Sequence, residues 1–283
     1  MTAVAATVLG VPVVRRTQLH GGCIALVARL DLADGRSVVE KRVRPGDATD
    51  LSLEAWMLRY LAAHSELPVP EVLAAAPDHL VMSYVPHDVG GPSREAEIDA
   101  ADKLAALHGV RAERFGLERD TLIGPLPQPN GEMASWVDFF RERRLLAMTR
   151  QASEAGRLPA GFATRLEHLA GKLDDLLDEP AAPALLHGDA WSGNLLFRGE
   201  RIAAFVDPAI YYGHPEIELA FTTLFGPFGE TFYAAYAERA GIAAGFFEVR
   251  AAIYNLYPLL VHVHLFGSGY LAPIDQTLRR HGV

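Results

Sequence analysis

Three polar residues in the second half of the chain have the types and the spacing that phosphoryl transfer requires. Asp189 follows His187-Gly188, and Asn194 and Asp207 come after it in the same stretch. In such a reaction a carboxylate accepts the proton of the acceptor hydroxyl, while an amide and a second carboxylate hold the Mg²⁺ that neutralises the phosphates. We therefore predict Asp189 as the catalytic base, Asn194 and Asp207 as metal ligands, and ATP and Mg²⁺ as cofactors. The alternative is an Asp-rich exposed loop beside a buried His.

The residues around this motif predict how its side chains meet. Apolar residues 184–186 lead into the motif as a strand, residues 195–197 leave it as a second strand, and residues 202–206 return as a third that ends at Asp207. A polar turn that contains Gly199 separates the last two strands. The hairpin should therefore bring Asp207 back beside Asn194.

A lysine in the first part of the chain is a candidate partner for nucleotide phosphates. Only three of the 26 basic residues are Lys, and Lys41 alternates with Val39 and Val43 on one face of a predicted strand. A cation that faces the interior needs a partner, and Glu54 in the next predicted helix can supply it. The two would form the Lys–Glu pair that positions phosphates in kinases. The alternative is an exposed ion pair of little energetic effect.

Two turns are further candidates for nucleotide contact: a glycine turn near the N-terminus and the end of the last N-terminal strand. Their candidate residues are Gly21, Gly22, Cys23, Ile24, Ser83, Tyr84 and Val85. Backbone amides of a glycine turn can approach phosphate, although paired glycines also occur in hairpins for turn geometry alone. The thiol of Cys23 is either oxidisable and near the phosphates or a small buried strand residue. The backbone at residues 83–85 could bond an adenine edge.

The order of elements predicts an α+β fold with two lobes, of the protein-kinase-like kind. Residues 1–86 are predicted to form a small antiparallel sheet with one helix, in the order of a nucleotide-binding lobe. Residues 87–92, rich in Gly and Pro, are the predicted linker. Residues 93–283 are predicted to form a larger helical lobe for catalysis and substrate binding. Its predicted helices cover residues 95–107, 136–150, 163–177, 216–225, 230–240 and 246–266.

Composition argues against several kinds of partner. A net charge of −9 without a basic stripe is unsuited to nucleic acid. A single cysteine leaves no internal disulfide framework and suits a reducing cytoplasm. The apolar stretch at 251–266 is interrupted by Pro258 and two His, which is too polar for a membrane span. We therefore predict a cytoplasmic protein with neither a nucleic-acid nor a membrane partner.

Several runs of residues together resemble the fructosamine/ketosamine kinase family, which is related to aminoglycoside phosphotransferases. They are LLHGDAWSGN at 185–194, VDPA at 206–209, YYGHPE at 211–216 and LFG at 224–226. The segment around residues 123–145 and the run LFGSGY at 265–270 are similar as well, so that the resemblance covers nearly the whole chain. The chain departs from the family pattern at Ala25, where a polar residue is usual, and at Ser83, where an acidic residue is expected.

The resemblance implies ATP-dependent phosphorylation of the 3-hydroxyl of a ketosamine, such as a fructosamine or ribulosamine, in the repair of glycated amines. The ketosamine would be a small molecule or attached to a protein. Substrate contacts are implied for Trp191, His214 and Glu216, although Trp191 could equally be a core residue and Glu216 a structural one. Cys23 matches a cysteine present in part of the family, which implies either a monomer or a Cys23-linked dimer under redox control.

Two other functions stay open. A phosphotransferase of the same fold could act on an aminoglycoside, a choline-like alcohol or another sugar, because function depends on the site rather than on the fold. A non-catalytic nucleotide-binding protein would normally lack the base, a metal ligand or the Lys–Glu pair. This sequence has the base, both metal ligands and both residues of the Lys–Glu pair, which favours catalysis.

Overall fold

The computed structural model describes residues 7–19, 25–47 and 49–283, and these residues form two lobes. The N-terminal lobe is a six-stranded sheet with one helix packed against it, and the C-terminal lobe is mainly helical. The predicted α+β two-lobe fold is therefore confirmed. The segment between the lobes, residues 84–93, forms neither helix nor strand.

The sheet of the N-terminal lobe places Lys41 at its centre. Its strands are β1 (Thr7–Val8), β2 (Val11–Gln18), β3 (Ala25–Leu32), β4 (Ser37–Val43), β5 (Val72–Ala76) and β6 (His79–Ser83). They lie in the order β1-β2-β3-β4-β6-β5, and neighbouring strands are antiparallel. Lys41 in β4 lies opposite Val27 of β3 and Leu80 of β6. Since β4 has a strand on each side, its backbone polar groups are satisfied and its position is fixed.

One helix, α1 (Leu51–His64), packs against this sheet and carries Glu54 in its first turn. The side chain of Asp50 caps the start of the helix by accepting a backbone N–H, which satisfies one of the free donors there. Ala55 of α1 packs with Leu80 of β6 in a small apolar cluster. The packing holds α1 beside β4, and Glu54 thus faces Lys41.

The C-terminal lobe contains nine α-helices and three short antiparallel strand pairs within the described residues. The helices are α2 (Arg94–His108), α3 (Trp136–Phe139), α4 (Ala147–Glu154), α5 (Phe162–Ala170), α6 (Pro215–Phe225), α7 (Glu230–Ala240), α8 (Ala251–Tyr254), α9 (Leu256–Phe266) and α10 (Leu271–Arg280). The strands are β7 (Thr121–Ile123), β8 (Leu126–Gln128), β9 (Ala184–Leu186), β10 (Leu195–Arg198), β11 (Arg201–Phe205) and β12 (Tyr211–Gly213). The pairs are β7–β8, β9–β12 and β10–β11. Two π-helical segments, Phe140–Leu146 and Phe246–Arg250, precede α4 and α8.

The core of this lobe lies behind β9 and β12. Trp136, Phe139 and Tyr254 are almost completely buried there. Helix α6 is buried over residues 216–222, including its two glutamates, so it runs through the interior behind the loop that follows β9. None of the helices in the described ranges is both long and apolar enough to cross a membrane.

Candidate active site

The loop after β9 holds the predicted base, Asp189. β9 pairs with β12, which fixes where the loop begins, and a short 3-10 turn that ends at Asn194 closes it. The amide nitrogen of Asn194 donates to Asp189 Oδ2 at 2.7 Å and to the Asp189 carbonyl at 2.9 Å. The amide therefore fixes the carboxylate, and its own oxygen remains available to a metal ion.

A close approach of two loops brings Asp207 to the same place. The hairpin β10–β11 ends just before Asp207, and the N–H of Ala209 donates to the carbonyl of His187 at 2.8 Å. Gly188 has φ +84°, and a Cβ there would lie 2.0 Å from the Ala209 carbonyl oxygen, so only glycine fits. Asp207 itself has φ +54°, a left-handed conformation uncommon outside glycine and found where a site requires it.

Lys41 joins the two lobes at this point. Its Nζ lies 2.7 Å from Glu54 Oε1 and also donates to Asp207 Oδ1. Burial alone would lower the pKa of Lys41, but the charges of Asp207 and Glu54 more than offset burial and hold the pKa above its ordinary value. Lys41 is therefore a permanent cation at the boundary between the lobes.

The carboxylates of the site outnumber its cation. Burial, with the charge of Asp207, raises the pKa of Asp189 to about 8, and the interactions with Asn194 and Trp191 only partly oppose this rise. Burial also raises the pKa of Glu54, although Lys41 opposes it. A divalent cation would relieve this excess of negative charge. Mg²⁺ fits the groups at hand, because it usually takes one or two carboxylates together with phosphate oxygens.

Two connected cavities run between the lobes. A cavity of about 180 Å³ has apolar walls that include Val27 and Met82, and it reaches the predicted adenine contacts at residues 83–85. A second cavity, of about 80 Å³, contains Glu54 and Asp189, and both cavities include Lys41 and Asp207. Together they form a path from the segment between the lobes to the base.

The predicted nucleotide contacts at residues 83–85 differ in whether their polar groups already have hydrogen-bond partners within the protein. The hydroxyl of Ser83 accepts the Glu71 N–H at 2.9 Å, and the Tyr84 N–H donates to the Ser37 carbonyl at 3.3 Å. Among the described residues no hydrogen bond is formed by the Val85 N–H, which leaves it for a ligand. Gly21, Gly22, Cys23 and Ile24 lie outside the described residues.

Trp191 begins a row of aromatic rings beside the base. Its ring lies over Gly193, where a Cβ would come within 2.5 Å of it, and it meets Phe225 edge to face with centroids 6.4 Å apart. The row continues from Phe225 to His262 at 4.6 Å and from His262 to Tyr270 at 4.9 Å. We call Trp191, Phe225, His262 and Tyr270 the aromatic wall. Each of its rings is partly exposed.

The other two predicted substrate residues lie elsewhere. His214 and Glu216 line a separate cavity of about 720 Å³ in the C-terminal lobe, which shares no residue with the two cavities at Lys41. Both carboxylate oxygens of Glu216 accept hydrogen bonds of 2.7 Å from Arg250. The structure therefore does not bring His214 and Glu216 to the reacting groups, and Glu216 forms a buried ion pair.

One functional residue was missed by the sequence analysis. Glu218 of α6 is 2% exposed and accepts hydrogen bonds from the backbone N–H groups of Gly188 at 2.6 Å and His187 at 3.1 Å, and from His108 Nε2 at 2.9 Å. Burial would raise its pKa, but these donors outweigh burial and lower it. The available signal was a glutamate between Ile217 and Leu219 in an apolar helix, because a buried charge needs partners.

Comparison with known proteins identifies the relatives of this chain. The sequence matches the fructosamine kinase family over residues 2–281. A probable ketoamine kinase of Synechocystis is 34% identical over 276 residues, which cover 94% of this chain and 89% of that protein. A chloroplastic protein-ribulosamine 3-kinase of Arabidopsis thaliana is also 34% identical, over 92% of this chain and 81% of that protein.

Solved structures give the same relationship. A candidate fructosamine-3-kinase from Thermobifida fusca superimposes with a TM-score of 0.86 at 34% identity, over 95% of this chain and 94% of that one. An aminoglycoside phosphotransferase, solved with ADP and hygromycin B, superimposes with a TM-score of 0.66 at 18% identity over 96% of both chains, a likeness of fold alone. The chain therefore belongs to the fructosamine kinase family.

Proposed function

We propose that this protein is an ATP-dependent kinase that phosphorylates the 3-hydroxyl of ketosamines such as fructosamines and ribulosamines. The observation that carries the proposal is the carboxylate of Asp189, held by Asn194 beside the Lys41–Asp207 pair. The family adds the substrate class, since its curated relatives include ketoamine and ribulosamine kinases.

The residues of the site divide the reaction between them. The adenine would lie in the apolar cavity and accept a hydrogen bond from the Val85 N–H, with the phosphates beside Lys41. Asn194 and Asp207 would hold Mg²⁺, whose charge offsets that of the phosphate oxygens. Asp189 would orient the acceptor hydroxyl and take its proton as the new O–P bond forms, while the bond between the γ-phosphorus and the bridging oxygen of ATP breaks and ADP leaves.

The aromatic wall is the proposed acceptor surface. Trp191 lies two residues after the base and can pack against the apolar face of a sugar. The amine of a ketosamine is cationic when protonated, and a cation over an aromatic face is stabilised by about 0.5–2 kcal/mol. His262 Nδ1 is bonded to the Pro258 carbonyl at 2.8 Å, so its Nε2 can accept a hydrogen bond from a sugar hydroxyl.

Turnover with a panel of acceptors tests the proposal. Purified protein with ATP and Mg²⁺ is assayed on a fructosamine, a ribulosamine and an erythrulosamine, with an aminoglycoside and choline as competing acceptors. We expect turnover on ketosamines alone and none in Asp189→Asn, because an amide cannot take the proton. Activity confined to the aminoglycoside or choline would replace the substrate class, and inactivity on all five would refute the kinase assignment.

A matched pair of variants tests the aromatic wall. Trp191→Ala should raise KM for the ketosamine by about tenfold, from the loss of about 1.4 kcal/mol of ring contact, and leave KM for ATP unchanged. Phe247→Ala removes a half-exposed ring outside the wall and should change neither. Equal changes of the two KM values in Trp191→Ala would show that Trp191 acts only on the loop structure.

Three finer features belong to the same proposal. We expect a cytoplasmic location and activity on free or protein-bound ketosamines. We also expect the two lobes to meet at residues 87–92. Limited proteolysis should cut the chain there first, because Val89 is fully exposed. We also propose that the protein is either a monomer or a dimer linked through Cys23, its single cysteine. A non-reducing gel after peroxide treatment should show it in the native protein and not in Cys23→Ala, and a dimer in both would exclude Cys23.

A further inference from the structure

We call the loop after β9, residues 187–194, the catalytic loop. The cavity lined by His214 lies on the side of this loop opposite to the cavities at Lys41. It is bounded by the end of α2, residues 178–181, the start of α6 and the end of α7. At about 720 Å³ it is large enough for a small metabolite. No residue of the aromatic wall lines it, so the proposed reaction leaves this cavity without a role.

The acidic groups of this cavity already have partners. Glu216 is paired with Arg250 through both oxygens. Glu179 accepts hydrogen bonds at the start of α3 from the Ser135 hydroxyl and from the N–H groups of residues 136 and 137. Asp178 is exposed but lies 3.5 Å from Arg250 Nη1. The negative charges of these three carboxylates are therefore balanced mainly by groups of the protein itself.

Two residues that line the cavity, Arg111 and His214, in contrast have N–H groups that can still donate a hydrogen bond to a ligand. Arg111 is exposed, and its guanidinium donates to the Ala182 carbonyl at 3.1 Å. His214 Nδ1 accepts the Glu216 N–H, so its hydrogen is on Nε2, which lies 4.0 Å from Glu216 Oε2, beyond hydrogen-bond distance. Burial, together with the charges of Arg250, His108 and Arg111, lowers the pKa of His214 to about 3. His214 is thus neutral near pH 7 and can donate its Nε2 hydrogen to an anion, while the exposed guanidinium of Arg111 supplies the positive charge.

One wall of the cavity is connected to the catalytic loop by a chain of buried hydrogen bonds. The Tyr236 hydroxyl lies 2.7 Å from His108 Nδ1, and His108 Nε2 donates to Glu218 at 2.9 Å. Glu218 in turn holds the N–H groups of His187 and Gly188, directly before Asp189. Tyr236 and His108 both line the cavity.

We infer that this cavity is a regulatory site for a small anionic metabolite, which Arg111 and His214 bind through a carboxylate or phosphate group. Its occupancy is transmitted through Tyr236, His108 and Glu218 to the position of the catalytic loop. A shift of the Tyr236 ring or hydroxyl changes the hydrogen bonding of His108, and Glu218 passes the change to the backbone that sets the orientation of Asp189.

Backbone NMR of the full chain with its nucleotide site saturated by Mg·ADP tests this inference. Inorganic phosphate and succinate are titrated separately, which distinguishes a phosphate from a carboxylate ligand. We expect saturable shifts of the Gly109 and Gly241 amides, which line the cavity, and of the Gly188 amide in the loop. Because the readout does not use turnover, it can fail or succeed independently of the proposed reaction.

Three variants decide between the outcomes. Arg111→Ala should weaken binding by about tenfold or more, the loss of one charge-assisted hydrogen bond, whereas Arg114→Ala, an exposed arginine outside the cavity, should bind as the native protein does. Tyr236→Phe should keep the shifts at Gly109 and Gly241 and lose the shift at Gly188. No saturable shift with either probe, or unchanged binding in Arg111→Ala, overturns the site. An undiminished Gly188 shift in Tyr236→Phe overturns its connection to the loop.

Discussion

Nucleotide binding should release a proton from Asp189. In the free protein, burial and the neighbouring charge of Asp207 raise the pKa of Asp189 to about 8. At pH 7 a group with that pKa is protonated in about 0.9 of the molecules. The Mg²⁺ that we propose for Asn194 and Asp207 would place positive charge beside the carboxylate, which would favour the ionised form and lower the pKa. Binding of the magnesium–nucleotide complex at pH 7 should therefore release close to one proton.

Calorimetry in buffers of different ionisation enthalpy measures this release. Preformed Mg·AMP-PNP is the titrant, since it is not turned over. The sign of the effect sets the pH window: the released fraction is largest at pH 5–7, where the free carboxyl is protonated, and falls towards zero above about pH 9, where it is already ionised. Asp189→Asn should bind the nucleotide and release no proton from this position, which separates the proton of Asp189 from any proton of the nearby Glu54. A buffer-independent heat in the native protein, or the same release in Asp189→Asn, would refute the reasoning.

Two further predictions concern Gly188, which allows the close approach of two loops, and Lys41, the cation of the site. Gly188→Ala should destabilise the protein by about 3 kcal/mol or more in urea unfolding, because its Cβ would meet the Ala209 carbonyl, whereas Gly199→Ala, also left-handed but facing open space, should cost about 1 kcal/mol. Similar losses in the two variants would contradict the close approach. Lys41→Met should lower kcat/KM for ATP by about 100-fold or more, whereas Lys103→Met in α2 should leave it near the native value. A small effect at Lys41 in steady-state kinetics would remove it from the phosphate site.

The sequence pattern was sufficient to predict the strands and the hairpin whose formation depends on neighbouring residues alone. The alternation of Lys41 with Val39 and Val43 predicts a strand, and in the structure these residues lie in β4 (Ser37–Val43). The apolar runs on each side of Asn194 and the turn at Gly199 predict the hairpin that returns to Asp207. In each case the period of the side chains and a turn residue fix the element without distant contacts.

Distant contacts explain where the sequence predictions differ from the structure. The helix predicted over residues 136–150 is broken by the π-helical segment Phe140–Leu146, in which Arg144 is fully buried. Its guanidinium donates to Asn130 Oδ1 at 2.7 Å and stacks on Tyr211 at 3.8 Å. Neither partner belongs to the helix, so a 3.6-residue period cannot reveal the wider turn.

The misplaced substrate residues have a similar origin. His214 follows Asp207 closely in sequence, but β12 lies between them, and its pairing with β9 sets the direction of the chain. Tyr211 is opposite Leu186, next to the catalytic loop, whereas Gly213 is opposite Ala184 at the far end of the strand. His214 therefore leaves the β9–β12 pair at the end remote from the loop. Proximity in sequence was not proximity in space.

Two carboxylates, Glu218 and Asp189, lie on opposite sides of the catalytic loop, and their surroundings shift their pKa values in opposite directions. Behind the loop, Glu218 receives donors from His108, His187 and Gly188 that lower its pKa, so it stays ionised and holds the backbone in place. In front, Asp189 has a raised pKa because burial and Asp207 outweigh the help from Asn194. A group that fixes a structure must not change its charge during turnover, whereas a group that takes a proton needs a pKa near the working pH. The same chemical group thus serves as anchor on one side and as the proposed base on the other. The difference comes from the donors that each carboxylate receives and from the charge of Asp207 beside Asp189.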